Sequence, residues 1–553
     1  MFQTISFLML AFFLGSCSSG QSKKKVDDTI KGIRNYSKVR GWPEGITPIA
    51  PAGFKVTKFA EDFRNPRWAY VMPNGDILIS EAETMPKKID YEAKALSQNL
   101  GKSANRITLL RDANRDGKPE VRTTFLENLE QPFGMLELNG YFYVANTDGI
   151  WRYPYKKGST KITSKGEKIL DLPKGGYNNH WTRNIISSPD KKKIYVSVGS
   201  ASNVGEYGME EERRRANILI INPDGTGEKI FAGGLRNPVG MDFHPETKKL
   251  WTAVNERDGL GDDLVPDYLT KVKENGFYGW PYVYGTTLDP RRIGERDDLL
   301  NDVIQPDVLL GSHTASLGLT FFSSSKFGRK YKHGAFIGQH GSWNSSELVG
   351  YKVVFVPFKD GKPTGGPEDF LTGFFKDKIN NEVYGRPVCV TELPGGRLLV
   401  CDDSANTLWL IEKKDNMTVR KTKTGYLMVL EEGENSFDRI EELAMKEKIK
   451  GATFSAMGFV KAKFAFFDSE QKRYLNQAFP GMELASFSGS IAWEKDKPSL
   501  HAHGVVTGSD FKAYGGHIQE AIVDKGSMEI TIVEHGIDLN RVMDEELGAK
   551  ILR

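Results

Sequence analysis

Residues 236–256 read RNPVGMDFHPETKKLWTAVNE: Arg, Asn and Pro, a short apolar segment, a polar turn and a second apolar run. The same phrase stands earlier at 64–81, RNPRWAYVMPNGDILISE, with its turn at a similar offset. A phrase that returns in this way marks one structural unit used more than once. Four further segments fit the scheme. They begin at Gln131 (QPFGMLELNGYFYVANTDG), His180 (HWTRNIISSPDKKKIYVSVGS), Ser316 (SLGLTFFSSSKFGRKYKHGAFIGQHGSWN) and Arg386 (RPVCVTELPGGRLLVCDD). Each of the six reads as the inner hairpin of a four-stranded blade, with remaining strands in runs such as ANILIINPDG and GYKVVFVPFKDG. A blade cannot bury both faces alone. Six in sequence therefore predict a closed ring, a six-bladed β-propeller over residues 50–412, with the inner-strand starts gathered around a central mouth.

Bulk properties agree with a large folded chain. At 553 residues it exceeds one ordinary core. Lys+Arg 75 against Asp+Glu 72 leaves a net charge of +3, a balance that gives nucleic acid no support as a partner. The 57 glycines suit many tight turns between short strands. Cys389 and Cys401 face each other across a turn in blade six, match no zinc spacing, and are expected as buried thiols.

The N-terminus carries an apolar stretch from Ile5 to Leu14 that ends in Leu14-Gly15-Ser16-Cys17. It is too short to span a bilayer, and small residues before a cysteine resemble a bacterial lipobox. No Lys or Arg precedes the apolar run, which departs from that pattern. Residues 1–17 are expected to be a lipoprotein signal peptide, with Cys17 lipidated and 18–49 as a tether; a signal cut by an ordinary peptidase, or a partly buried N-terminal segment, is the alternative. The protein would then be exported and lipid-anchored to a bacterial membrane, on its periplasmic or cell-surface face.

Beyond the propeller, KKDNMTVRKTKT at 413–424 reads as a basic linker. Ser436 is placed to cap a helix with Phe437, Ile440, Leu443 and Ala444 on one face. Alternating strands such as KAKFAFFD follow, so 425–553 is expected as a separate small α+β domain. The fold class is thus mainly β, a propeller followed by this domain.

At the propeller mouth the strand starts gather His180, Arg183, Arg236, Asn237, His340 and Arg386. Guanidinium forks bind carboxylates bidentately and an imidazole takes protons, so the set suits a small polyanionic cofactor beside a base. In the C-terminal domain, SLHAHGVVTGSDFKAYGGH puts His501 and His503 on one face of a strand, with a Gly515-Gly516 turn to bring His517 back. These three imidazoles suit a transition metal, Zn²⁺ by preference, or else line a polar pocket. In DANRDGKPE, Asp112, Asn114, Asp116 and Gly117 hold the first, third, fifth and sixth places of a calcium loop. The twelfth is Thr123 rather than Glu, so this is a weak Ca²⁺ site or a simple Asx turn.

Residues 50–412 resemble the glucose/sorbosone dehydrogenase family, on the sorbosone dehydrogenase-like side. The stretches that carry the resemblance include LLRDANRDGKPEVRTTF, NNHWTRNIISSPDKKKIYVSVGS, GLRNPVGMDFHP, NERDGLGDDLVPDY, YGWPYVYG, GQHGSWN and GRPVCV. The resemblance implies a six-bladed propeller that uses pyrroloquinoline quinone. His180 would take the substrate hydroxyl proton, while Arg236, Asn237 and Arg386 contact the cofactor. It also implies Ca²⁺ on DGLGDDLVPD, through the Asp262 and Asp263 carboxylates and the Gly259 and Leu260 carbonyls. Residues 425–553 resemble the PPC domain, which implies an α+β fold, a homotrimer and histidines near its HxH and GGH motifs. YGRP at 384–387 opens a propeller strand and lacks flanking basic residues, so it is no DNA hook.

The expected function is a quinone-dependent dehydrogenase acting on a sugar, aldose or polyol, with an electron acceptor as a required partner. The alternatives are a non-catalytic module that binds glycan or protein, and a calcium-dependent lactonase-like hydrolase. A lactonase needs axial acidic ligands more than arginines, so the mouth favours the dehydrogenase.

Overall fold

Three of the inner strands start on a proline. In the computed structural model, which describes residues 33–84, 103–174, 178–290, 294, 296–328, 330–414, 418–468, 473–545 and 549–553, these are Pro66–Val71, Pro238–Phe243 and Pro387–Leu393. Each is the innermost strand of its sheet, an edge where a missing N–H breaks no ladder. After each proline the register slips against the next strand, from the pairs Pro66↔Glu81, Pro238↔Val254 and Pro387↔Asp402. A bulge at a strand start re-aims the neighbouring side chains. RNP recurs because it is the entry to an inner strand.

Among the described residues, six sheets are each built on four antiparallel strands. Blade one is Pro66–Val71, Ile77–Glu81, Arg106–Arg111 and Val121–Leu126; blade two is Met135–Leu138, Tyr141–Asn146, Gly149–Pro154 and Glu167–Asp171. Blade three is Arg183–Ser187, Ile194–Val198, Asn217–Ile221 and Lys229–Gly233, extended by Gly276–Phe277; blade four is Pro238–Phe243, Leu250–Val254, Pro266–Lys271 and Val308–Ser312. Blade five is Ser316–Phe321, Ala335–Gln339, Lys352–Val356 and Glu368–Leu371. Blade six takes Pro387–Leu393, Arg397–Asp402 and Thr407–Lys413 from the end of the propeller and its outer strand, Phe54–Ala60, from the beginning. This pairing closes the ring. Apolar side chains such as Phe125, Phe142, Trp251, Phe322 and Trp409 are fully buried in the blade cores, each worth roughly 1.5–3 kcal/mol or more. Cys389 and Cys401 are free and buried.

The part of the expected tether that is described, from residue 33, is no free leash. Lys38–Val39 pairs in parallel with Glu382–Val383. Trp42 packs against Phe374, Tyr384 and Trp409 and donates its indole N–H to Asp402 at 2.7 Å. Cys17 and most of the 84–104 insertion lie outside the described residues.

The expected linker also differs. Thr418–Lys421 pairs with Gly425–Glu431 and so belongs to the C-terminal sheet, whose order continues through Ala513–Glu534, Ala452–Asp468, Arg473–Glu494 and Lys497–Thr507. Ala513–Glu534 pairs again with Lys497–Thr507, which joins four of these strands into a closed circuit. The helix Ser436–Glu447 buries Phe437, Ile440, Leu443 and Ala444 as the periodicity predicts. Its cap is Asn435 rather than Ser436: Asn435 has extended backbone, and its side-chain oxygen accepts the Phe437 N–H at 3.0 Å. Gly515 and Gly516 form no turn but lie inside a strand opposite Val505 and Gly504. A Cβ on Gly515 would stand 2.8 Å from the Gly504 carbonyl oxygen, so close strand approach explains that glycine.

Candidate functional site

The inner-strand starts enclose a cavity of about 190 Å³. Its wall includes His180, Arg236, Asn237, His340 and Arg386, five of the six residues expected at the mouth. The sixth, Arg183, does not reach it. As the first residue of blade three's inner strand it points back into the fold, fully buried, and donates to the His180, Thr182 and Pro173 carbonyls. Burial pushes its pKa down to about 9. Its task is to hold the loop that carries His180.

His180 has a defined tautomer. Its Nδ1 lies 2.9 Å from the Ser200 carbonyl, which can only accept, so Nδ1 carries the proton. The Ser200 hydroxyl donates to the Ser202 carbonyl at 2.6 Å and turns its own lone pair to the same Nδ1–H. Nε2 is then the acceptor, with the Asn179 amide donating at 3.4 Å. The base of the His180 side chain seats against a glycine: a Cβ on Gly199 would overlap Asn237 Oδ1 and stand 2.6 Å from His180 Cβ.

Arg236 is 1% exposed and held from several sides. Nη1–H donates to the Glu256 carbonyl (2.6 Å) and to Asn255, and Nη2–H to Asn203 Oδ1 (2.9 Å). Among the described residues, Asn237 Oδ1 is buried without a partner. Arg386 donates to the carbonyls of His340 (2.9 Å) and Gly341 (2.8 Å) and lies over Tyr351.

Several wall residues carry no mark in the sequence reading. Arg67 directly follows the RNP of blade one, whose Arg64 and Asn65 donate their backbone N–H groups to the Glu81 carboxylate and to Asn406 Oδ1. It pairs with buried Asp403, whose other oxygen accepts His340 Nε2–H at 2.7 Å. Burial alone would raise the Asp403 carboxyl, but His340, Arg67 and Arg386 hold it well below the usual carboxylate range. Burial and the Arg386 charge outweigh Asp403 at His340 and push its pKa down to about 4, so His340 is neutral. His313 stands three residues before blade five's inner strand, as His180 does before blade three's, an offset that could have marked it. Burial opposes its charge, yet bonds to Asp258 (3.3 Å) and the Gly261 carbonyl (2.7 Å) raise its pKa.

The acidic loop contributes differently from expectation. Asp258 lines the cavity, whereas Asp262 and Asp263 do not. Asp262 accepts the Ser346 N–H at 2.9 Å, and Asp263 offers its carbonyl to Ser312. Gly259 donates its N–H to Asn344, and neither it nor Leu260 is in the wall. The other calcium candidate is an Asx turn: Asn114 Oδ1 accepts the Asp116 N–H, Asp116 Oδ1 accepts the Lys118 N–H, and Arg397 neutralises Asp112 at 3.0 Å. A guanidinium stands where a cation would need the first carboxylate.

In the C-terminal domain the three expected imidazoles meet. Their nearest ring nitrogens lie within 4.8 Å of one another, with His503 directly opposite His517 in the sheet. Burial, then the charges of neighbouring His501, His503 and Arg541, push His517 down to about 4, which keeps a lone pair available.

A family model described as TrAA12-like matches residues 48–276 and 285–414, and one described as Plants and Prokaryotes Conserved (PCC) domain matches 417–536. An uncharacterized protein of Borreliella burgdorferi is 30% identical over 300 residues, 52% of this chain and 77% of that protein. A pyrroloquinoline quinone-dependent pyranose dehydrogenase of Coprinopsis cinerea is 25% identical over 337 residues, 50% of this chain. The chain spans less than half of that dehydrogenase, 45% of its length. The calcium structure of a Trichoderma reesei carbohydrate-active enzyme of family AA12 superposes with a TM-score of 0.55 at 17% identity, over 68% of this chain and all of that one, a likeness of fold.

Proposed function

Because the chain belongs to the TrAA12-like family and carries a PCC domain after the propeller, we propose that it is a pyrroloquinoline quinone-dependent dehydrogenase that oxidises a sugar. The observation that carries this reading is His180, its Nε2 held as an acceptor in a cavity walled by Arg67, Arg236 and Arg386 and, among the described residues, by one acid, Asp258. Three guanidinium groups against one carboxylate among the described wall residues suit a polycarboxylate ligand. The cofactor, when bound, supplies a two-electron acceptor for the hydride from the substrate carbon. His180 Nε2 takes the hydroxyl proton, and the Ser200 carbonyl steadies the resulting imidazolium through Nδ1–H. Arg236 and Arg386, fixed by backbone carbonyls, orient the ligand without reorganising. Among the described residues Asp258 is the acid that faces the cavity, and a Ca²⁺ ion held there would have to displace its pairing with Arg236 (3.4 Å) and His313 (3.3 Å).

The C-terminal domain takes a transition metal, Zn²⁺ by preference, on His501, His503 and His517. The protein works outside the cytoplasm, tethered through Cys17.

Reconstitution with pyrroloquinoline quinone and Ca²⁺ across a sugar panel tests the reading. His180→Ala should lower kcat by about 10²- to 10⁴-fold and retain the cofactor absorbance. Arg236→Ala should lose the cofactor first. His501→Ala with His517→Ala should abolish bound metal and leave sugar oxidation in place. A wild-type protein that binds no quinone, or a His180→Ala variant with full turnover, would overturn the dehydrogenase.

A further inference from the structure

The segment 33–42 puts one side chain, Tyr36, into the wall of the propeller cavity. The Tyr36 ring lies on Trp343, another wall residue, with centroids 5.7 Å apart and planes 12° from parallel. The strap is clipped to the loop that carries Trp343. Asn35 N–H donates to the Trp343 carbonyl at 2.8 Å, its side-chain amide donates to the Ser346 carbonyl at 3.0 Å, and Asn344 donates to the Ile33 carbonyl at 2.6 Å. That loop is in turn tied to the acidic loop, where Asn344 Oδ1 accepts the Gly259 N–H at 2.9 Å and Asp262 accepts the Ser346 N–H. Three segments far apart in sequence thus make one rim, and the strap gives it an aromatic face.

We infer that Tyr36, stacked on Trp343, forms the subsite that receives the ring of a cyclic sugar, an inference that rests on the reading of this cavity as a sugar-oxidising site. A pyranose has a face of C–H groups and a girdle of hydroxyls. Flat aromatic rings cover the face and exclude water from it, while amides placed around them take the hydroxyls. The wall has this composition: two stacked rings at the rim, with Asn179, Asn237 and Asn255 around the His180 base. A linear polyol has hydroxyls but no ring face, so the subsite selects cyclic aldoses over open-chain polyols. It also makes the strap part of the binding site rather than a spacer.

The test uses full-length protein loaded with Ca²⁺ and pyrroloquinoline quinone, as wild type, Tyr36→Ala and Tyr36→Phe. Glucose, galactose and xylose are compared with sorbitol. Binding is read by saturation-transfer NMR with the cofactor reduced, so that no sugar is consumed, and kcat and KM are read with a dye acceptor. Tyr36→Ala should weaken cyclic-sugar binding and raise KM by about tenfold, about 1.4 kcal/mol, with kcat little changed and cofactor absorbance intact. Tyr36→Phe, which keeps the ring, should match wild type. Sugar binding and KM unchanged in Tyr36→Ala, or an equal loss for sorbitol, would overturn the subsite while the dehydrogenase stands. Binding that depends on Tyr36 without any oxidation would keep the subsite and remove the dehydrogenase. If the protein does not load, the dehydrogenase reading falls and the same binding comparison on unloaded protein decides the subsite. Absence of all cyclic-sugar binding overturns both.

Discussion

Glu256 sits behind the cavity wall, where its backbone carbonyl accepts from Arg236 and its carboxylate accepts the Arg257 N–H at 3.0 Å. Burial lifts its pKa from the ordinary 4.5 to about 7, against the opposing charge of Arg236. In the folded protein it therefore keeps its proton to higher pH than in the unfolded chain. The stability it contributes is fully present below pH 4.5 and is lost as the pH rises through about 7. Buried Asp242, Asp267 and Asp402 are raised to about 6 in the same sense, so a single variant is needed to isolate the contribution of Glu256. Glu256→Gln keeps an acceptor for the Arg257 N–H and has no proton to lose. The wild-type melting temperature should fall relative to that variant between pH 5 and 8. Parallel melting curves across that range would mean that Glu256 is ionised in the folded state.

Among elements, the helix Ser436–Glu447 joins both parts of the chain. Its buried stripe serves the C-terminal core, while Glu442 pairs with Lys326 of the propeller at 2.8 Å and Arg439, 6% exposed, lies between Glu434 and Glu442. Asn435 starts this helix by accepting an N–H that the first turn would otherwise leave unbonded. Asn435→Ala should cost about 1 kcal/mol and lower the melting temperature, whereas Asn435→Ser, which keeps a capping oxygen, should recover most of it. Calorimetry of the three proteins checks this, and equal melting of all three would show that the cap contributes nothing. Ser436, which the spacing marks as the cap, is already helical, and its buried hydroxyl has no partner among the described residues. Neighbouring cap-competent residues cannot be ranked by periodicity alone.

For the whole molecule, closure of the ring depends on Phe54–Ala60, paired with Thr407–Lys413 from the far end of the propeller. Removing residues 1–32 leaves every described blade strand in place. Removing residues 1–60 also takes away the outer strand of blade six and exposes an edge ready to pair with other chains. The shorter truncation should give soluble protein with a cooperative melt, and the longer one should aggregate. Size-exclusion chromatography and circular dichroism separate the outcomes, and a soluble, cooperative product from residue 61 onward would show that the ring closes without that strand.

What the sequence determined by itself was local. Alternating apolar residues, bounded by Gly, Asn and Asp turns, specified the six inner hairpins, because strand period and turn chemistry need only neighbouring residues. The same locality made His180, Arg236, Asn237 and Arg386 legible as residues before inner strands, and placed His501 and His503 on one face. Tertiary structure decided the rest. The pairing of Phe54–Ala60 with Thr407–Lys413 joins distant segments that carry no shared local signal. Arg183 differs from Arg236 by lying inside its strand instead of ahead of the bulge, which turns it into the fold. Asp258 rather than Asp262 faces the cavity because the loop conformation is set by bonds to Asn203 and Ser346. Tyr36 and Arg67 entered the wall only once the closed ring brought the chain's early residues against blades five and six, since which side chains share a cavity is a property of the assembled ring.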